Sequence, residues 1–274
     1  MREARAVRGV VSIIASRVSV SGVMLVLAGA ISGLAAASVP ARAQEPSSHG
    51  PGSGQAFGIA VLQTPQPYVG TDAELIVVPI LQLRKGGFFI DGIRVGYGWA
   101  LPANWSLQVS AMPQFAELDP TSSPFLEGME RRRQSVDGVL TLAWESKRLT
   151  SSVAAYSDLL GRSDGQRVEG EVGIPLSAAR WRIVPAARAV WVDGDFADYY
   201  AGIRPAEVRP ERPLFRGSST LSPGLALGVM RPFAKTWVLL ARAEVLFLGS
   251  GVRDSAVVGD DTMSFGLVGV ARQF

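Results

Sequence analysis

The sequence contains no cysteine and only one histidine, and each absence removes a class of chemistry. Without cysteine, the chain cannot form a disulfide framework, a thiolate metal site or a cysteine nucleophile, and it lacks the residue to which a lipoprotein anchor is attached. The single histidine, His49, lies in a polar stretch before the first predicted strand. A Ser–His or Asp–His catalytic pair is therefore unavailable in the rest of the chain. We predict a protein that is not an enzyme, with no catalytic residue, no cofactor and no metal ion.

Long apolar runs and an excess of positive charge are also absent once the N-terminus is set aside. Residues 1–43 combine basic residues, a run of small apolar residues and the cleavage pattern Ala41-Arg42-Ala43, which together predict a cleaved signal peptide. Residues 1–43 hold five Arg and one Glu, so the rest of the chain has 22 basic and 23 acidic residues. No basic surface for nucleic acid is therefore predicted. Residues 44–54 are predicted to be a flexible periplasmic leader. After residue 54, no apolar run is long enough to predict a membrane-spanning helix.

Alternation of apolar and polar residues over roughly ten positions recurs after residue 55 and predicts β-strands. Short turns between several of these segments indicate an antiparallel meander, and longer connections lie at 117–132, 206–217 and 249–261. We predict an all-β fold, a single antiparallel transmembrane β-barrel of about 12 strands (10–12) over residues 55–274. The predicted strands are 55–64, 73–84, 87–100, 104–116, 133–145, 148–160, 166–176, 180–193, 197–205, 218–231, 236–248 and 262–274.

Aromatic residues at both ends of several predicted strands indicate where these strands cross a membrane. The segments 105–115, 181–191 and 237–247 each begin with Trp and end with an aromatic residue, and the residues of equal parity between them are apolar. A strand of this length, tilted by about 40°, rises about 25 Å, the height of the apolar band of an outer-membrane barrel. We therefore predict that this face contacts lipid, with aromatic residues at its two boundaries. The predicted aromatic girdle comprises Phe89, Trp99, Trp105, Phe115, Trp181, Trp191, Trp237, Phe247 and Phe274.

A soluble β-sandwich or lipocalin-like barrel is the alternative fold, in which the apolar parity would face an internal core. Strands in soluble proteins average about five or six residues, and the predicted strands are longer. Their polar parity also carries Arg, Glu and Gln at mid-strand, which suits a wet lumen. Both observations favour the membrane barrel.

Charged residues of the opposite parity are predicted to point into the lumen. They either select anionic solutes or form ion pairs that lock the barrel. Because a barrel of twelve strands lies between filled and open barrels in width, we expect a narrow or blocked pore. The predicted lumenal residues are Arg94, Arg180, Arg182, Arg188, Arg242, Glu169, Glu171 and Glu244, with Asp137 as a further partner.

Two short motifs and the chain end resemble the MipA/OmpV family of outer-membrane proteins. The first motif contains Tyr68, Gly70 and Asp72, and the second contains Tyr199, Tyr200 and Gly202. Trp237 and the final Phe274 also fit, and the order and spacing of these features agree over roughly residues 55–274. The resemblance implies a barrel of 10 to 12 strands in the bacterial outer membrane. Some members of this family are described as scaffolds that join a lytic transglycosylase to a peptidoglycan synthase, and others as porin-like or adhesive surface proteins.

Three functions therefore remain as hypotheses. The first is a MipA/OmpV-like scaffold for murein hydrolases and synthases, which are periplasmic partners. In this hypothesis the contact is the connection 117–132, because four predicted strands precede it and place it on the side of the termini. The second is a narrow passive channel for small polar solutes, and the third is a surface-interaction protein that uses 206–217 and 249–261. In each case Phe274 is expected to engage the barrel-assembly machinery, because outer-membrane barrels commonly end in Phe.

Overall fold

A computed structural model describes residues 55–64 and 66–274, and in it antiparallel strands dominate. The predicted signal peptide and leader, residues 1–54, lie outside this part. The strands are β1 Ala56–Thr64, β2 Glu74–Lys85, β3 Phe88–Asp91, β4 Arg94–Ala100, β5 Trp105–Gln114, β6 Ser135–Glu145, β7 Thr150–Asp158, β8 Gln166–Gly173, β9 Leu176–Ala178, β10 Trp181–Val192, β11 Thr220–Pro232, β12 Trp237–Phe247 and β13 Thr262–Gln273. The helices are α1 Gly194–Ala201 and α2 Ser250–Arg253, with short 3-10 turns at Pro102–Asn104 and Pro205–Glu207.

The strands close into a barrel, although residues 74–80 of β2 pair with β1 alone. Apart from β8 and β9, consecutive strands pair with each other, and β1 pairs with β13 to complete the ring. Both β8 and β9 pair with β10, so β9 continues β8 past an interruption. Thirteen strand segments therefore form twelve positions around the barrel. The prediction of a single antiparallel barrel of about twelve strands is confirmed.

Prolines explain the interruption between β8 and β9. Ile174 and Pro175 separate the two strands and lie opposite Val184 and Pro185 of β10. Proline has no N–H to donate to a ladder, so two prolines on facing strands leave a gap in it. Ile174 donates its N–H to the Pro185 carbonyl across this gap (2.9 Å).

Two of the predicted strands are wrong, and the errors cancel in the strand count. Segment 87–100 contains two strands, because Gly92 adopts a positive φ of 60° and allows a tight turn between Asp91 and Arg94. Segment 197–205 is not a strand but the helix α1 followed by a short bridge at Ile203. The Asp193 carboxylate caps this helix by accepting the Phe196 N–H at 2.9 Å.

The extra turn at Gly92 changes which connections share an end of the barrel. Gln55, the first residue described, lies beside Phe274 at one end of the barrel, where Phe274 donates its N–H to the Gln55 carbonyl (3.0 Å). We call this the turn end, because the other connections there are short. The opposite loop end carries the connections of β1–β2, β5–β6, β7–β8, β10–β11 and β12–β13. Since β5 is the fifth strand, connection 117–132 lies at the loop end, and the prediction that it lies beside the termini is wrong.

Side chains alternate between the lumen and the outer surface as predicted for a membrane barrel. On β6, Leu140 and Leu142 are exposed on the outside, whereas Asp137 and Val139 are buried inside. On β2, Val77 is 65% exposed although it is apolar. An outer surface made of exposed aliphatic side chains requires an apolar surrounding, because in water each one would cost hydrophobic free energy.

Candidate functional site: the ionic layer and the loop cap

An ion-pair cluster crosses the barrel interior, and Arg188 on β10 is at its centre. Its guanidinium contacts Glu169 on β8 at 2.6 Å and Glu244 on β12 at 2.8 Å. Arg188 is 2% exposed, and the side chain of Glu244 is fully buried. Charges removed from water in this way need close partners, and each of these groups has at least one.

Two further arginines extend this cluster around the wall. Arg167 on β8 bridges Asp137 on β6 (3.1 Å) and Glu169 (2.9 Å). Its guanidinium also lies 4.0 Å from the centre of the Tyr156 ring, a cation–π contact. Arg242 on β12 pairs with Glu171 and Glu244. The ionic layer is defined by Asp137, Arg167, Glu169, Glu171, Arg188, Arg242 and Glu244.

Three of the arginines predicted to face the lumen lie outside the ionic layer. Arg94 is buried in the interior and donates to Ser110 (3.2 Å). Arg182 forms a half-exposed pair with Glu145 near the turn end. Arg180 is exposed in the turn before β10, so its lumenal placement is wrong, because the strand begins only at Trp181. Arg167 was missed, although it shares parity with Glu169 and Glu171 and this parity could have found it.

Most residues of the predicted aromatic girdle point outward. At the turn end, the strand register directs five of them outward, namely Trp99, Trp105, Trp181, Trp237 and Phe274. The outward aromatic residues at the loop end are Trp191 and Phe247. Their contact with a lipid–water boundary stays a prediction. Five outward residues at the turn end were not predicted, namely Phe57, Phe88, Tyr97, Trp144 and Phe233.

Two residues of the predicted girdle lie inside. Phe89 is 2% exposed and packs beneath the guanidinium groups of Arg84 and Arg94. It precedes the turn at Gly92, which reverses the parity relative to Trp99, so the two rings face opposite sides. Phe115 follows the last residue of β5 and lines the interior cavities instead of the outer surface.

A packed loop cap closes the loop end of the barrel. It is formed by residues 66–73, 115–134, 193–219 and 248–261. These loops share an apolar cluster and form short bridges, such as Tyr68 with Val258 and Leu118 with Arg132. The cluster consists of Tyr68, Leu118, Leu126, Met129, Ile203 and Val257. Because it has its own buried core, the cap is an ordered structure and not a set of independent loops.

The residues of the two family-like motifs meet in this cap. The Tyr68 hydroxyl donates to the Tyr200 carbonyl at 3.1 Å, although the two residues are far apart in sequence. Arg132, from a third loop, donates to the carbonyls of Tyr199 (2.8 Å) and Gly202 (3.4 Å). Two further motif residues do not take part in this contact. Gly70 provides a turn with φ 73°, and Asp72 is exposed.

The Arg132–Glu207 ion pair joins two loops of the cap. The two side chains are 1% and 4% exposed and approach to 2.9 Å. Glu207 also accepts the backbone N–H groups of Glu130 (2.8 Å) and Arg204 (2.9 Å). Burial by itself would raise the pKa of Glu207, but the hydrogen bonds from Arg132 and the two N–H groups outweigh it and lower the pKa below its usual value.

Acidification is expected to loosen the cap through Glu207. Because its pKa is lower in the folded protein, the ionised carboxylate stabilises the cap above the usual pKa of about 4.5, and this contribution is lost as the pH falls through the folded-state pKa. Hydrogen exchange in residues 126–133 and 203–212, corrected for the intrinsic effect of pH, should become faster in that range. Glu207→Gln should speed exchange about ten- to a hundredfold at neutral pH and remove most of the acid dependence. Equal acid dependence in both proteins would contradict this role of Glu207.

Two cavities in the interior lie on opposite sides of the ionic layer. The larger, of about 270 Å³, lies toward the turn end and is bounded by Glu169, Arg188 and Arg242. The smaller, of about 110 Å³, lies beneath the cap and is bounded by Arg167 and Tyr200. The arrangement therefore holds charges in fixed pairs between two apolar chambers.

Neither a metal site nor a helical membrane anchor is found in residues 55–64 and 66–274. Within them, no group of three or more His, Asp or Glu side chains is placed to hold a metal ion. Within the same ranges, no helix has the length and apolarity needed to cross a membrane. The Asp193 carboxylate accepts the N–H groups of Phe196 and Gln166.

The closed antiparallel barrel of this chain and its aliphatic outer face are typical of outer-membrane β-barrels. The match of residues 57–274 to the family described as "MltA-interacting protein MipA" places the chain in that family. It is 23% identical to the putative outer membrane protein YiaT of Escherichia coli K12, over 80% of this chain and 90% of that protein. It is 22% identical to the outer membrane protein Omp26La of Vibrio anguillarum, over 51% and 54% of the two chains. The protein is therefore an outer-membrane protein.

Solved structures of other outer-membrane proteins are also similar to this chain. The NanC porin is 11% identical, with 81% of this chain and 100% of that chain covered and a TM-score of 0.39. An outer membrane channel from Pseudomonas putida F1 is 10% identical, with 84% and 99% covered and a TM-score of 0.40. In outer-membrane barrels the short turns are periplasmic and the long loops extracellular, so we expect the turn end to face the periplasm and the loop cap to face outward.

Proposed function

We propose that this protein is a non-enzymatic scaffold that holds a murein-remodelling enzyme at the periplasmic side of the outer membrane. The observation that carries the proposal is the obstructed lumen, in which the ionic layer and the loop cap lie across the path that a channel would need. The family's description as an MltA-interacting protein supplies the class of partner, a murein hydrolase. A barrel with an obstructed lumen offers a partner only its surface, and a murein enzyme can meet that surface only at the turn end.

Exposed cations at the turn end provide a contact for such a partner. Lys147, Arg148 and Arg180 lie in the turns that extend beyond the strands, and we call them the turn cations. Among residues 55–64 and 66–274, the only carboxylate side chain in the turns or the adjoining strand ends there is Glu145, which is paired with Arg182. The turn cations therefore favour a partner with an acidic surface. This surface replaces connection 117–132 as the proposed contact, because that connection lies at the other end.

A binding experiment with purified components tests the scaffold. The folded barrel in detergent is immobilised, and an MltA-type lytic transglycosylase is passed over it at low and moderate salt. The triple variant K147Q/R148Q/R180Q should weaken binding at least about tenfold, whereas R162Q/R216Q at the loop end should leave it unchanged. Absence of binding to the unmodified barrel, or an equal loss in the loop-end control, would exclude this contact.

A narrow channel is the second candidate, and the two cavities on either side of the ionic layer favour it. Rearrangement of the Arg188 and Arg242 pairs would join these chambers into one path. Planar-bilayer recording separates the candidates, because the scaffold proposal expects no steady unit conductance. Stable conductance that bulky substitutions at Arg182 or Arg242 abolish would instead favour the channel.

Phe274 is the proposed contact with the barrel-assembly machinery. It is 73% exposed at the end of the chain, and the Arg272 guanidinium lies 5.2 Å from the centre of its ring. Phe274→Ala should lower the amount of folded barrel in the outer membrane without changing its stability once folded. Normal membrane levels of this variant would exclude the contact.

A further inference from the structure

A cluster of cations and aromatic rings covers the outer surface of β10 to β13 at the turn end. The Arg231 guanidinium lies 4.7 Å from the centre of the Trp181 ring on the neighbouring strand. Trp237 is directly opposite Arg272 in the register of β12 and β13. The cation–aromatic patch is defined by Trp181, Arg231, Phe233, Lys235, Trp237, Arg272 and Phe274.

The depth of this patch is given by the tryptophans. The turn end carries five of the six tryptophans of the chain, all outward by register, namely Trp99, Trp105, Trp144, Trp181 and Trp237. Tryptophan concentrates at the level of the lipid headgroups, because its ring is apolar and its N–H is polar. Arg231 and Arg272 lie beside these rings and point outward, so their guanidinium groups lie at headgroup depth.

The cations of the patch have no acidic partner in the part of the chain that the structure describes. Among residues 55–64 and 66–274, no ion pair involves Arg231, Lys235 or Arg272. Arg231 and Arg272 are both exposed, and each is held over an aromatic ring that cannot neutralise it. A guanidinium in this setting is suited to a phosphate, whose oxygens match its planar fork of donors.

We propose that the cation–aromatic patch binds the phosphate of an anionic phospholipid in the periplasmic leaflet. The outward direction of Arg231 and Arg272 favours a lipid over a periplasmic macromolecule, which would approach along the barrel axis and meet the turn cations first. The adjacent rings supply the contact for the upper part of the acyl chains and the glycerol. Anionic headgroups attract each nearby Lys or Arg at the membrane surface, so three clustered cations select them over zwitterionic lipids.

The charge at the opposite end makes this preference one-sided. The five stretches 66–73, 115–134, 159–165, 193–219 and 248–261 contain fourteen acidic and nine basic residues. An anionic lipid headgroup is therefore repelled there and attracted at the turn end. The site follows from this distribution and from the patch, and it does not depend on the scaffold proposal.

Quenching of tryptophan fluorescence by brominated lipids measures the preference directly. The folded barrel is placed in vesicles of phosphatidylcholine and phosphatidylglycerol, with one lipid brominated at a time, and the relative binding constant of the anionic lipid is obtained. The unmodified barrel should prefer phosphatidylglycerol. Arg231→Gln or Arg272→Gln should each lower the relative constant about fivefold, and moderate salt should reduce the difference between variant and parent.

The control removes two positive charges at the same end but outside the patch, whereas each test variant removes one. K147Q/R148Q should keep the preference within about twofold of the parent, since these two residues lie in a turn beyond the headgroup level. An equal loss in this control would mean a general effect of net charge and would overturn the site, as would a parent barrel without preference. Each variant must show the heat-modifiable gel migration of the folded barrel, so a folding defect is recognised separately. If removal of the turn cations weakens enzyme binding while K147Q/R148Q keeps the lipid preference, the two proposals hold independently.

Discussion

Arg188→Ala should lower the free energy of unfolding by about 3–5 kcal/mol, the largest loss expected from any single substitution in the barrel. Arg188 joins Glu169 and Glu244, which come from different strands and are both buried. Removal of the guanidinium leaves these carboxylates close together in an interior where water cannot solvate them well. Glu169 keeps Arg167 and Glu244 keeps Arg242 as partners, but the layer is left with four carboxylates and two guanidinium groups. This buried excess of negative charge costs more than the ion pairs of Arg188 themselves contribute.

Two comparisons separate this explanation from a simple loss of packing. Arg182→Ala breaks the half-exposed pair with Glu145 and should cost less than about 1 kcal/mol. The combined variant R188M/E169Q/E244Q removes the charges together and should be more stable than Arg188→Ala. Urea unfolding in lipid vesicles, followed by tryptophan fluorescence, measures all three. An Arg188→Ala barrel as stable as the Arg182→Ala barrel would show that the ionic layer does not hold the strands together.

Leu140→Arg should cost about 2–4 kcal/mol, because it places a charge near the middle of the lipid-facing surface. Leu140 is 50% exposed on the outside of β6, opposite Val109 of β5. In a soluble protein, an arginine at such an exposed position would change stability little. The large effect therefore arises only if hydrocarbon surrounds the barrel at this depth.

Ser157→Arg is the matched control for depth. Ser157 is also exposed on the outer surface, but it lies one residue before the loop end of β7. An arginine there can reach the headgroups, so we expect a cost of about 0–1 kcal/mol. The same urea unfolding in vesicles compares the two variants. Equal tolerance of arginine at Leu140 and at Ser157 would contradict a lipid-facing middle band.

Strand parity could be predicted from the sequence because it is a local property with a period of two. The segments 181–191 and 237–247 show this most clearly, and their apolar parity faces outward in the structure. The turn at Gly92 was missed because the residues on both sides read as one continuous alternating strand. A single glycine with positive φ divides it, and this choice of backbone conformation leaves little trace in the hydrophobic pattern.

The helix α1 was mistaken for a strand for a similar reason. Its residues Phe196, Tyr199 and Tyr200 favour strands by composition, and the apolar face of so short a helix is easily confused with alternation. Asp193 is the signal that could have found it, because Asp is a preferred N-cap residue and accepts the Phe196 N–H.

The loop cap could not be derived from local patterns at all. Arg132 contacts Tyr199 and Glu207, which are 67 and 75 positions away in sequence. Each loop by itself reads as a polar connection with scattered apolar residues. Only the closed barrel brings the loops within reach of each other, so the buried Arg132–Glu207 pair depends on the tertiary fold. The resemblance to a family marked Tyr68 and Tyr200 as important, but gave no reason for them to touch.

The orientation of the barrel decides between the periplasmic contacts proposed here and the contact first predicted at 117–132, and cysteine labelling measures it. Because the chain contains no cysteine, a single introduced thiol is the only one present. In whole cells, a maleimide that cannot cross the outer membrane should label Glu127→Cys in the loop cap and should not label Lys147→Cys, which becomes reactive only after the cells are opened. Labelling of Lys147→Cys in intact cells, with Glu127→Cys protected, would place the turn end outside and contradict the account.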